Sequence, residues 1–132
     1  MLLSVVLTAI LQAGTPSLET VSRGTISWVN VPQQVVARTS AEWTALWRRE
    51  APLPAVDFAS RTVVAVFLGS RPSAGFGVEI TGTREQGGVL TVLWRERMPG
   101  AGDVTAQVLT SPFHIASIPK FAGEIRFEKA VR

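Results

Sequence analysis

The chain has 132 residues, a 46% apolar composition, a formal net charge of +3 and no cysteine. That length supplies one hydrophobic core and is too short for two, and the apolar content argues against disorder. The missing cysteine excludes disulfides, thiolate metal sites, cysteine nucleophiles and lipid attachment through an N-terminal cysteine. The basic residues are scattered: Arg48-Arg49 and Arg95 with Arg97 are the closest pairs, and each is flanked by an acid, Glu50 or Glu96. This describes a solvated mixed-charge face, not the basic stripe with aromatic platforms that reads nucleic acid.

Met1 to Ala13 is apolar and uncharged and is followed by Gly14-Thr15-Pro16-Ser17. The run is shorter than the roughly 20 residues that span a bilayer as a helix. It has the character of a secretory leader cleaved after Ala13, although no cation precedes it and Leu11 is large for its position. The expected organisation is therefore a leader at 1–13, a lead-in at 14–33 and a single domain at 34–132. The expected location is outside the cytoplasm, whether periplasmic, secreted or attached to the envelope, with no membrane span once the leader is gone.

Ser17 to Arg23 is polar with little periodicity and belongs to the lead-in. Thr25 to Val29 has the composition of a short first strand, and Val35 to Arg38 continues as extended chain after Pro32. Thr39 and Glu42 then form a capping box, and Trp43, Leu46 and Trp47 fall on one helical face. Arg48 and Arg49 complement the dipole of the last turn, and Pro52 and Pro54 stop the helix, which is expected at about 40–50. Thr62 to Leu68 is continuously apolar, as in a strand buried on both faces. Gly77 to Thr81 alternates with Val78 and Ile80 inward. After Gly87-Gly88, Val89 to Arg95 places Leu90, Val92 and Trp94 on one face, and the two runs predict a hairpin. Val104 to Thr110, Phe113 to Ile118 and the alternating Ile125–Phe127 stretch predict three further strands. The expected fold is α+β, mainly an antiparallel sheet with one packed helix, with a sandwich or partly open barrel as the alternative.

No catalytic constellation emerges. His114 is the one histidine and sits among Phe113 and Ile115, the usual setting of a structural imidazole. Gly69-Ser70-Arg71-Pro72-Ser73 lacks the last glycine of a nucleophile elbow. Gly100-x-Gly102 lacks the remaining glycine and helix of a phosphate loop. Asp57 and Asp103 have no metal-ligand spacing, and no two carboxylates stand out as a glycosidase pair. The chain is expected to be non-enzymatic, with no cofactor and no metal.

The distinctive segment follows the buried strand: Gly69-Ser70-Arg71-Pro72-Ser73-Ala74-Gly75-Phe76-Gly77. Pro72 fixes its φ and Gly75 permits a positive one, so the loop is expected to be pre-shaped, which reduces the entropy lost on binding. Arg71 and Phe76 are residue types enriched at binding hot spots.

Phe67-Leu68-Gly69-x-Arg71-Pro72-x-x-Gly75-Phe76-x-Val78-x-Ile80 resembles the signature of the PrcB C-terminal domain. Pro99-Gly100-x-Gly102 resembles its Pro-Gly loop, and Gln107-x-x-Thr110-x-Pro112-Phe113-His114-x-x-x-Ile118-Pro119 its closing motif. Trp43 to Trp47 resembles the helix that precedes the domain in many relatives, so the resemblance covers roughly residues 34–129. Ala74 stands where the family often has a second glycine, and Phe76 where it often has tyrosine. The family takes its name from an accessory subunit of an exported bacterial protease complex. The resemblance therefore implies a non-catalytic domain that binds another exported protein, with a protease as the named candidate. The residues expected to face that partner are Gly69, Arg71, Pro72, Gly75, Phe76, Pro99, Gly100, Gly102, Pro112 and His114. Two alternatives are a purely structural envelope domain and a protease inhibitor. For the second, Arg71 to Phe76 resembles a six-residue loop of chagasin-like inhibitors, whose flanking motifs are absent here.

Overall fold

The computed structural model describes residues 17–48 and 51–131. The proposed leader at 1–13 and the last helical positions, Arg49 and Glu50, lie outside the described residues. Seven strands and one helix follow in order: β1 (Glu19–Gly24), β2 (Gln33–Ala37), α1 (Ser40–Leu46), β3 (Arg61–Phe67), β4 (Gly77–Gln86), β5 (Val89–Arg97), β6 (Phe113–Pro119) and β7 (Glu124–Lys129). They build two sheets. One has the order β1-β6-β3-β2 and is antiparallel throughout; the other has the order β4-β5-β7. β4 and β5 form the expected hairpin, while β7 lies parallel to β5. The fold is α+β, two packed sheets with one short helix and no closed barrel.

The unbroken apolar run of β3 is explained by its place in the middle of the stack. Val64, Val66 and Leu68 face the second sheet, where they meet Val78, Ile80, Leu90, Val92 and Trp94. Val63, Ala65 and Phe67 face the other way, into a layer closed by Trp43, Trp28, Trp47 and Leu46. A strand with apolar neighbours on both faces has no reason to alternate.

The helix is shorter than expected at its C-terminal end. Thr39 caps it by accepting from the Glu42 N–H at 3.1 Å, and the Glu42 carboxylate accepts from the backbone N–H of Arg38, one residue before the cap. At the other end Trp47 turns to φ −82°, ψ 105° and leaves the helix, so no basic residue occupies the last turn. The reason is aromatic packing. The Trp47 ring lies 5.4 Å from Trp43 and 5.6 Å from Trp28, and its indole N–H donates to the Ala51 carbonyl. The Trp28 indole N–H donates to the Leu46 carbonyl at 3.0 Å, serving an acceptor that the shortened helix leaves open.

Two other expectations change. The polar lead-in contains β1, whereas Thr25 to Val29 forms no strand. A bulge between Thr20 and Ser22 breaks the two-residue period of β1, which conceals a polar edge strand from pattern reading. Val104 to Leu109 joins no sheet; Thr110 alone makes an isolated bridge, to Arg71.

Candidate binding site around the Gly69–Gly77 loop

Where β3 ends, the chain is tied down on three sides. The Leu68 N–H donates to Pro112, Ser70 to Asn30, and Ala74 to Ala106. Arg71 and Thr110 exchange both backbone hydrogen bonds, at 2.8 and 2.9 Å, and the Thr110 hydroxyl donates to the Ser73 carbonyl. Gly69 (φ 79°) and Gly75 (φ 97°) occupy the left-handed region. A side chain on Gly75 would also meet the Pro99 ring at 2.8 Å and the Thr105 methyl at 3.1 Å. The three motif segments of the sequence therefore converge: the loop packs on Pro99 at one end and on Thr110 to Pro112 at the other. The Pro99 segment is itself turned, with Asp103 accepting from the Gly100 N–H at 2.7 Å and Gly102 at φ 88°.

The proposed contact residues separate into buried and accessible sets. Gly69, Pro112 and His114 are buried, while Pro72, Gly75, Gly100 and Gly102 are exposed and Pro99 is half-buried. Arg71 already has internal partners. Its guanidinium grips the Glu96 carboxylate at 2.8 and 3.3 Å, donates to the Leu68 and Ser70 carbonyls, and lies 5.9 Å from the centre of the half-buried Phe76 ring. Glu96, with its side chain only 8% exposed, also pairs with Lys129 at 3.1 Å. The Arg71 hydrogen bond holds the Glu96 carboxyl below its ordinary range, against the cost of burial, with Lys129 adding to the effect. In the sequence Glu96 stands only as a flanking acid; neither spacing nor composition signals an ion pair between a loop and a strand 25 positions on. Removing one member of a desolvated pair strands the other, so Glu96→Gln is expected to cost about 2–3 kcal/mol in chemical denaturation. A loss below a few tenths would show that the pair is no more than a surface ion pair.

His114 also has both nitrogens engaged. Nδ1 accepts from the Ile80 backbone N–H and Nε2 lies 2.8 Å from the Thr20 hydroxyl, each next to a strand bulge. The acceptor at Nδ1 requires the proton on Nε2, so the neutral ring joins β1, β6 and β4. Burial pushes its pKa down to about 4, with Arg23 adding to the effect and Glu79 opposing it. Among the described residues, no group of three His, Asp or Glu side chains comes together as a metal site would require.

The accessible apolar surface lies beside the loop. Val104 is fully exposed, Leu109 is 76% exposed, and Val108 and Met98 are more than half exposed. Among the described residues, none of the six backbone N–H groups from Val104 to Leu109 meets an acceptor. The whole arrangement, from β3 through the hairpin to the end of β6, coincides with residues 62–119, which match the sequence pattern described as PrcB C-terminal. Over these residues the chain is similar to the PrcB C-terminal family. The match is narrower than the resemblance at 34–129 and leaves β1, β2, α1 and β7 outside it. Comparison with curated proteins found no match, and comparison with solved structures found none. The Gly69–Gly77 loop packs against the Pro99 and Thr110 segments, and the Val104–Leu109 segment lies exposed beside it. No helix among the described residues is long and apolar enough to cross a membrane.

Proposed function

We propose that the chain is a non-catalytic, exported protein-binding domain that serves as an accessory subunit to a secreted or surface protease. The observation that carries the binding role is Val104–Leu109: an uncharged, exposed segment rich in apolar side chains, its N–H groups without protein acceptors, packed beside the Gly69–Gly77 loop. Strand edges left to solvent are normally guarded by charge. β7 carries Glu124, Arg126, Glu128 and Lys129, whereas Val104 to Leu109 carries none. A surface of that kind suits an extended strand of another protein, whose backbone supplies the missing acceptors. The leader-like N-terminus supports export, and the family name supports a protease as partner. The internal hydrogen bonds of His114 and Arg71 support a role without catalysis.

The test is capture of the partner from the native envelope by the tagged domain, compared with Val104→Asp and Leu109→Asp. Both side chains are exposed, so the melting temperature is expected to hold while capture of an exported protease falls roughly tenfold or more. Undiminished capture by both variants would remove the segment from the binding role, and an unrelated cytoplasmic partner would remove the accessory one.

A further inference from the structure

A second feature lies where β1 meets the β4–β5 hairpin. An open cleft of ≈ 650 Å³ is lined by Arg23, Arg95 and Arg97 among Val78, Met98, Pro99 and Ala130. Its acids are already neutralised. Glu79 is paired with Arg95 at 2.7 Å, and Glu96 with Arg71 and Lys129. Arg23 and Arg97 have no carboxylate partner among the described residues. Arg23 is anchored through Nε on the Val78 carbonyl at 3.1 Å, and its terminal nitrogens make no protein hydrogen bond. The guanidinium of Arg97 lies across Gly77, where an added Cβ would come within 3.3 Å of it, so the glycine leaves room for the cation. Two guanidiniums without an ion-pair partner share one cleft with apolar walls, and Arg23 feels the Glu79 carboxylate only at longer range.

We infer that this cleft is a carboxylate site, taking an acidic peptide segment in which apolar side chains flank the acid. A carboxylate accepts paired N–H bonds from a guanidinium fork, and two forks around one anion relieve their mutual repulsion. Met98, Pro99 and Ala130 give the flanking side chains apolar surface. The site is separate from Val104–Leu109 and does not depend on that segment's role.

The experiment is an NMR titration of the isotope-labelled domain at low salt with the blocked peptide acetyl-Leu-Glu-Leu-Glu-Leu-amide. Parallel arms use its Gln counterpart, a Leu-rich peptide with a free C-terminal carboxylate, and inorganic phosphate. The expected result is saturable shifts at Val78, Arg97, Met98 and Gly100 that weaken with added salt. Arg97→Gln and Arg23→Gln should each weaken binding roughly tenfold, whereas Arg126→Gln, opposite Thr91 toward the other end of β5 and paired with Glu124, should leave it unchanged. Shifts from the free C-terminal carboxylate alone would assign the site to chain ends, still a peptide carboxylate. Equal affinity for the Gln peptide, equal affinity for phosphate, or no saturable shift up to about 5 mM would overturn the inference.

Discussion

Gly69→Ala is expected to lower the melting temperature by about 12–16 °C, corresponding to about 3–4 kcal/mol. Two costs add. An L-residue at φ 79° pays roughly 1–2 kcal/mol for its backbone conformation. The new methyl would then stand 2.7 Å from the Pro32 nitrogen and 2.9 Å from the Val31 carbonyl carbon, and relieving backbone contacts of that kind costs about 1–3 kcal/mol. Gly102→Ala separates the terms. Its φ is 88°, but no atom lies within 4 Å of the added methyl, so only the conformational cost of about 1–2 kcal/mol remains. Thermal melts of the two variants check the difference. Equal losses would mean that the chain from Val31 to Pro32 yields freely and that Gly69 is needed for its φ alone.

Acid should destabilise the domain through His114, starting well above the range in which carboxylates titrate. The folded pKa of about 4 lies below the unfolded value near 6.5. Between those values the unfolded chain binds the extra proton, so stability rises with pH. The contribution is complete above about pH 7, is lost as pH falls from 6.5 toward 4, and changes no further below that. Its size is on the order of 2–3 kcal/mol. Glu79 and Glu96, both with lowered pKa values, add their own losses at lower pH in the same direction. Denaturant titrations at pH 7, 6 and 5 should show the decline in the wild type. In His114→Leu the slope over that interval should vanish, and stability at pH 7 should fall by about 2–4 kcal/mol because the Ile80 N–H and Thr20 hydroxyl lose their partner. A slope that survives the substitution would assign it to other groups.

How much of the fold is legible in the sequence depends on how locally each element is written. β3, the β4–β5 hairpin, β6, β7 and the helix cap were legible because each is written locally, in an apolar run, a two-residue alternation, a paired glycine turn or a capping box. β1 was not, since its bulge shifts the alternation and its pairing with β6 is set by a partner far along the chain. Val104 to Thr110 has strand composition, but composition says nothing about whether a neighbouring strand exists to receive its hydrogen bonds. At the site, the positive φ of Gly75 and the convergence of the Pro99 and Thr110 segments follow the motif, whereas the direction of Arg71 does not. Its type suggests a hot spot; its surroundings turn it inward onto Glu96. Arg97, passed over as part of a mixed-charge pair, is left with free charge because the acid beside it in sequence faces the other way, toward Arg71.

The strand order has a temporal consequence. β1 pairs only with β6, and Thr20 meets His114 across 94 positions of chain. Among the described residues, only β4 and β5 pair with an immediate neighbour through a tight turn. The hairpin can assemble early from local contacts, whereas the four-stranded sheet must first close long loops before its pairings repay the entropy. Until β6 has been synthesised, β1 has no strand to pair with and the central β3 has only β2.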